Sequence, residues 1–96
     1  MKVYCVDRQG WLAVEESALD AEQSLEWIDV MDGEYLVIDN AGILYEPSES
    51  DQGHYGYRWC PTSTTRPEVL KIVDSYEDGD RLSPEDLRRC RSDFLK

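Results

Sequence analysis

Two apolar runs with a polar break between them open the chain. Val3, Tyr4, Cys5 and Val6 have the β-branched, aromatic and small side chains of a strand. Asp7-Arg8-Gln9-Gly10 interrupts, and Trp11-Leu12-Ala13-Val14 resumes. The same arrangement returns as Tyr35-Leu36-Val37-Ile38, Asp39-Asn40-Ala41-Gly42 and Ile43-Leu44-Tyr45-Glu46. An Asp carboxylate accepts from the backbone two residues on, and Gly takes a positive φ without strain. The pattern therefore predicts hairpins around 2–14 and 35–46, each closed by a type I turn with a Gly bulge. Val6-Asp7-x-x-Gly10-Trp11-Leu12 and Ile38-Asp39-x-x-Gly42-Ile43-Leu44 share Asp, Gly and Leu at equal offsets. An internal duplication would produce this. The preferred reading is that one turn geometry selects the same residues twice.

Between the hairpins the periodicity changes. Leu19, Ala21, Leu25 and Ile28 fit one helical face, with Glu15, Glu16, Asp20, Glu22 and Glu26 opposite. Leu25–Val30 can also be read as a strand. The expectation is a helix over about 16–26 followed by an extended piece. Residues 47–54 read as a polar surface loop. Tyr55, Tyr57 and Trp59 then alternate with Gly56, Arg58 and Cys60, which predicts a strand over 55–60 with an aromatic face.

Two helices close the chain. Thr65-Arg66-Pro67-Glu68 reads as a capping box ahead of Val69, Ile72, Val73 and Tyr76, a helix over 66–77. Ser83-Pro84-Glu85-Asp86 starts the second, over 83–95, with Leu87, Cys90 and Phe94 as its buried stripe. Acids at its start and Arg88, Arg89 and Arg91 near its end suit the helix dipole. The fold class is α+β: an antiparallel sheet of four to five short strands, with the two C-terminal helices packed on one face.

Composition and charge narrow the function. Ninety-six residues fit one small acidic domain, 1–96. The net charge is −11, and it is lopsided. Residues 1–52 hold thirteen acids against Lys2 and Arg8, whereas 53–96 hold eight of each sign. Such self-repulsion does nothing for a small fold, so it points to a basic partner. It disfavours nucleic-acid backbones and anionic membranes, which select Lys and Arg. The N-terminal residues lack a secretory-leader pattern, and no apolar run nears the roughly 20 residues of a membrane span. Cys5, Cys60 and Cys90 are widely spaced and odd in number, which reads as reduced thiols in the cytoplasm. On the predicted strands, Cys5 and Cys60 read as small core residues.

Residues that carry chemistry are few. Asp74 to Glu85 resembles an EF-hand loop in its Asp74, Asp78, Gly79 and Glu85. It departs at Tyr76, where a carboxylate is needed, and at Arg81, where an apolar residue is usual. A hard cation wants six or more oxygens, so a plain inter-helix turn is preferred. His54, the single histidine, has no nucleophile or orienting group beside it. Carboxylate pairs are too numerous to single out an acid and a base. No cofactor motif is present. The arginines at 81, 88, 89 and 91 read as neutralising the N-terminal acids or solvating a helix. One or two of the many aromatics are expected at an exposed patch beside the acids.

The expectation is a non-enzymatic binding or inhibitor protein that docks an acidic face on a basic protein surface. The docking residues expected are Glu15, Glu16, Asp20, Glu22, Glu26, Asp29, Asp32 and Glu34. The alternative is a plain accessory or small-molecule-binding domain whose acidity serves solubility. An enzyme or a calcium-binding protein ranks below both.

Overall fold

The computed structural model describes residues 1–49, 56–75 and 81–94. The strands are β1 (Val3–Asp7), β2 (Leu12–Glu15), β3 (Tyr35–Asp39), β4 (Ile43–Glu49) and β5 (Tyr57–Thr65). The helices are α1 (Ala18–Ser24), α2 (Trp27–Met31), α3 (Pro67–Val73) and α4 (Pro84–Phe94). The strands form one antiparallel sheet in the order β2-β1-β3-β4-β5, an α+β architecture. None of the described helices is long and apolar enough to cross a membrane.

Both hairpins close as their sequences require. Asp7 Oδ1 accepts from the amides of Gln9 (2.9 Å) and Trp11 (3.0 Å), and Gly10 N donates to Asp7 O. Asp39 Oδ1 accepts from Ala41 (2.8 Å) and Ile43 (3.1 Å), and Gly42 N donates to Asp39 O. Gly10 and Gly42 sit at φ +93° and +81°, the region an L side chain avoids.

The likeness runs past the turns. In the β1–β3 pairing Val3 faces Asp39, Cys5 faces Val37 and Asp7 faces Tyr35. Exchanging the two hairpins leaves this register unchanged, so the centre of the sheet has a local two-fold axis at Cys5 and Val37. The seats for the C-terminal helices follow the same symmetry. Trp11 bridges Arg81, and Leu82 N donates to Gly10 O at 2.8 Å just before α4. Ile43 pairs with Thr65, and Arg66 N donates to Gly42 O just before α3.

Strand alternation sorts the core into two clusters, one on each face. Val6, Leu12, Leu36 and Ile38 meet Val69, Ile72 and Val73 of α3 and Cys90 of α4. The two C-terminal helices thus share one face. Val3, Cys5 and Val37 on the other face meet Ala21 of α1, Val30 of α2, and Tyr57 and Trp59 of β5. The sheet is therefore a middle layer, covered by α1 and α2 as well. It is also curled. A seven-residue helix is about 10 Å long and four strand spacings span about 19 Å. Yet α1 touches β5 at one edge and β1 and β2 at the other side. Tyr57 ties this closure: its hydroxyl donates to Glu22 O at 3.0 Å, and its ring packs on Trp27 and Trp59.

Several boundaries differ from the sequence reading. The extended piece expected after residue 26 is helix α2. Val30 N donates to Glu26 O and Asp32 N to Ile28 O, and the turn buries Val30. The capping box at Thr65 does not form. Thr65 is still paired in β5, and Arg66 takes the N-cap position with no side-chain capping bond to the helix. Ser83 does cap α4, with Oγ accepting from Asp86 N at 3.2 Å. Residues 47–49, expected in a polar loop, are instead the end of β4, because β5 pairs with them: Pro47 with Trp59, Ser48 with Arg58 and Glu49 with Tyr57. The rest of that loop, 50–54, lies outside the described residues. β5 runs beyond residue 60, through a bulge opposite Leu44. There the Thr62 hydroxyl donates to Leu44 O and accepts from Thr64 N. Pro61 and this bulge blunt an edge strand that would otherwise template pairing. Tyr55, His54, residues 76–77 and Lys96 with Leu95 lie outside the described residues, as does the heart of the calcium-loop resemblance.

The two glycine seats differ in hardness. A Cβ at Gly42 would meet Pro67 backbone at 3.3 Å, whereas one at Gly10 would meet the movable Leu87 side chain at 3.3 Å. Gly42→Ala should therefore cost more than the about 1–2 kcal/mol of a left-handed alanine, and Gly10→Ala about that amount. Denaturant midpoints of the two variants check the ranking. Equal losses would contradict it.

Candidate protein-docking surface

The layer formed by α1 and α2 carries the acids singled out in the sequence. Ser17 starts α1, accepting from Asp20 N at 3.2 Å while its hydroxyl donates to Asp20 Oδ2. Asp20 is thus committed to the cap and suits the positive end of the helix. This start sets the helical phase so that Ala21 and Glu22 face the sheet. Glu22 is only 2 % exposed and cannot be presented to a partner. It leaves the expected docking set. Buried Glu22 and the exposed Arg58 of β5 line one shallow groove with Ala18, Leu19 and Trp59.

The other seven acids do not form one continuous face. Glu16, Glu26 and Asp32 are exposed, and Glu15, Asp20, Asp29 and Glu34 are half-buried. Glu15 pairs with Val3 at one end of β1, whereas Tyr35, next to Glu34, pairs with Asp7 at the other. Four residues of strand separate these ends by about 13 Å. Glu15, Glu16 and Asp20 form one group, and Glu26, Asp29, Asp32 and Glu34 the second. The second group is held together by backbone: Glu34 N donates to Asp29 O (3.1 Å), and Arg8 N donates to Glu34 O (3.0 Å).

Asp7 joins this second group. Asp7, Gln9, Asp29, Glu34 and Tyr35 line a polar hollow. Burial raises the Tyr35 phenol above its usual value, and Asp29, Asp7 and Glu26 add to the rise. Sequence reading treated Asp7 only as a turn residue. The signal was its pairing opposite Tyr35, which becomes visible once the hairpins are laid side by side.

Apolar exposure accompanies the acids. Ile28 is 71 % exposed, Leu19 53 % and Met31 51 %. The sequence placed Leu19 and Ile28 on a buried face with Leu25. The chain breaks its helix at Leu25 and Glu26, so α2 begins with a new phase that buries Val30 and turns Ile28 outward. Leu25, Trp27 and Ile28, with Gln23, Ser24 and Glu26, line a mainly apolar groove. Trp11 is the exposed aromatic near the acids, at the β1–β2 turn, with the Arg81 guanidinium 5.7 Å from its ring centre.

The C-terminal arginines are engaged elsewhere. Arg91 donates through Nε and Nη2 to Arg8 O, at 3.1 and 2.6 Å. Arg81 donates to Gln9 O at 3.3 Å. Arg89 pairs with Glu85 on its own helix at 3.2 Å, in an exposed i,i+4 arrangement of small energetic weight. For these three, neutralisation of the N-terminal acids is not what the contacts provide.

The thiols separate clearly. Cys5 and Cys90 are buried, and burial followed by the nearby Glu15 pushes Cys5 up to about 12. Cys60 is exposed, against the expectation of a core position, because β5 turns Tyr57 and Trp59 inward and Arg58 and Cys60 outward. Among the described residues, no group of His, Cys, Asp and Glu has metal-holding geometry. No family model, curated protein or solved structure matches the chain.

Two outcomes follow from these environments. A thiol reagent at neutral pH should modify one cysteine rapidly, and Cys60→Ser should abolish that phase; rapid modification of Cys5 would contradict its burial. Burial also pushes the Tyr57 phenol up from 10.0 to about 12, and the nearby Glu22 adds to the rise. The folded chain then keeps a proton that the unfolded chain releases near pH 10, so stability holds below about 10 and falls as pH rises toward 12. Tyr57→Phe should flatten part of that fall and cost about 1 kcal/mol at neutral pH through the lost bond to Glu22 O. Denaturant unfolding across this pH range measures both.

Proposed function

We propose that this chain is a non-enzymatic binding protein of inhibitor type, which docks an acidic face on a basic protein surface. Immunity proteins, antitoxins, phage-encoded inhibitors and nucleic-acid mimics would all meet that description. The observation that carries the reading is the pairing of two facts. Glu16, Glu26 and Asp32 stand exposed on the α1–α2 layer. Arg81, Arg89 and Arg91 meanwhile spend their guanidiniums on Gln9 O, Glu85 and Arg8 O. An exposed acidic layer speeds encounter with a basic partner and rejects acidic ones. It works against binding to phosphate backbones, so the partner is a protein. A cytoplasmic setting belongs to the proposal, supported by three cysteines that form no disulfide with one another.

Immobilised chain should capture a basic protein from host lysate at about 0.1 M salt and lose it near 1 M, where the screening length shrinks to about 3 Å. A triple variant, Glu16→Gln, Glu26→Gln and Asp32→Asn, should lose the same protein at the lower salt. Capture that persists at high salt and in the triple variant would sink the electrostatic reading.

A further inference from the structure

We propose that α2 is the recognition element of this surface and that its occupant is a basic amphipathic helix of the partner protein; the inference rests on the binding reading above. α2 presents two stripes side by side. Ile28 and Met31, three residues apart, share an outward face at 71 % and 51 % exposure. Asp29 and Asp32, one position further on, form a parallel acidic stripe, with Glu26 exposed at the N-terminal end.

Folding does not require this arrangement. Val30 alone of the helix is buried, and Ile28 and Met31 could be polar without loss of the core. Large apolar side chains left in water between carboxylates are what a docking site needs: anchors that desolvate, within a charged rim that selects sign. The apolar surface continues into the groove of Leu25, Trp27 and Ile28. The acidic surface continues into the hollow of Asp7, Asp29 and Glu34. The surface thus has one apolar and one anionic lane, each wider than a single residue.

Charge complementarity fixes the occupant. Its chemistry must be an apolar stripe flanked by Lys or Arg, and an amphipathic helix presents those two side by side, as the two lanes require. An extended strand would place alternate residues on opposite faces and offer only one lane to α2.

Three labelled synthetic peptides test this by fluorescence anisotropy on the full chain at about 0.1 M salt. One carries Leu and Lys in helical periodicity, one the same composition in strict alternation, and one is oligolysine of equal charge. The helical peptide should bind tightest. Ile28→Ser with Met31→Ser should weaken it about tenfold or more and leave oligolysine unchanged. Asp29→Asn with Asp32→Asn should weaken both. Equal binding of the alternating peptide, or no effect of the serine pair, overturns the helix proposal while the acidic docking reading stands. If neither the helical peptide nor oligolysine binds the unaltered chain, the docking reading falls and this proposal with it. Ile28 and Met31 lie outside the core, so circular dichroism of the serine variant should match that of the unaltered chain, and any loss of binding then belongs to the surface.

Discussion

The Asp-x-x-Gly turn is the constraint on which this structure hangs. One carboxylate oxygen accepts two amides inside the turn, and the glycine carbonyl, freed by a positive φ, receives an amide from a distant segment. At Gly10 that segment is Leu82, and at Gly42 it is Arg66. A local turn thereby fixes where each C-terminal helix begins. Asp39 is buried, and it also accepts from the Tyr45 hydroxyl at 3.1 Å, so every oxygen of that carboxylate is used. A buried acid is tolerated when it is satisfied in this way. Removing it would free several donors at once, not one.

Antiparallel pairing of two such hairpins places their turns at opposite ends of the sheet. The two helix seats are therefore at opposite ends too, and α3 and α4 lie across the same face. Turn chemistry explains why Asp and Gly recur at equal offsets. It does not explain why each glycine carbonyl should receive the lead-in to a helix, or why Trp11–Arg81 and Ile43–Thr65 should pair equivalently. The symmetry of the helix seats goes beyond what one turn geometry demands, which favours the duplication reading more than the sequence alone could.

What was legible in the sequence was local. The hairpin turns could be read because their bonds lie within five residues of the Asp. α4 could be read because Ser83 and Pro84 define its start regardless of context. The 15–34 segment could not. α2 is five residues long, too short for a period to declare itself, and its phase depends on the break at Leu25. Thr65 was misread as a cap because its strand partner, Ile43, is far away in sequence. Glu22 was misread because an acid is ordinarily outward, and only the Ser17 cap sets the phase that turns it in. The proposed docking surface was thus half visible: its acids were found, whereas Ile28 was placed on the buried helical face.

The charge of −11 also changes meaning once the acids are placed. Asp7 and Asp39 hold turns, Asp20 and Asp86 sit at helix caps, and Glu85 pairs with Arg89. These acids are occupied by structure and would be present in a chain with no partner. Glu16, Glu26 and Asp32 have no such role among the described contacts, and two of the three bracket α2 beside Ile28 and Met31. A surface meant only for solubility would have no use for exposed isoleucine and methionine between those carboxylates, since each lowers solubility where the acids raise it. Under the proposed docking function the two features make physical sense together, as anchors and charged rim that a partner would cover.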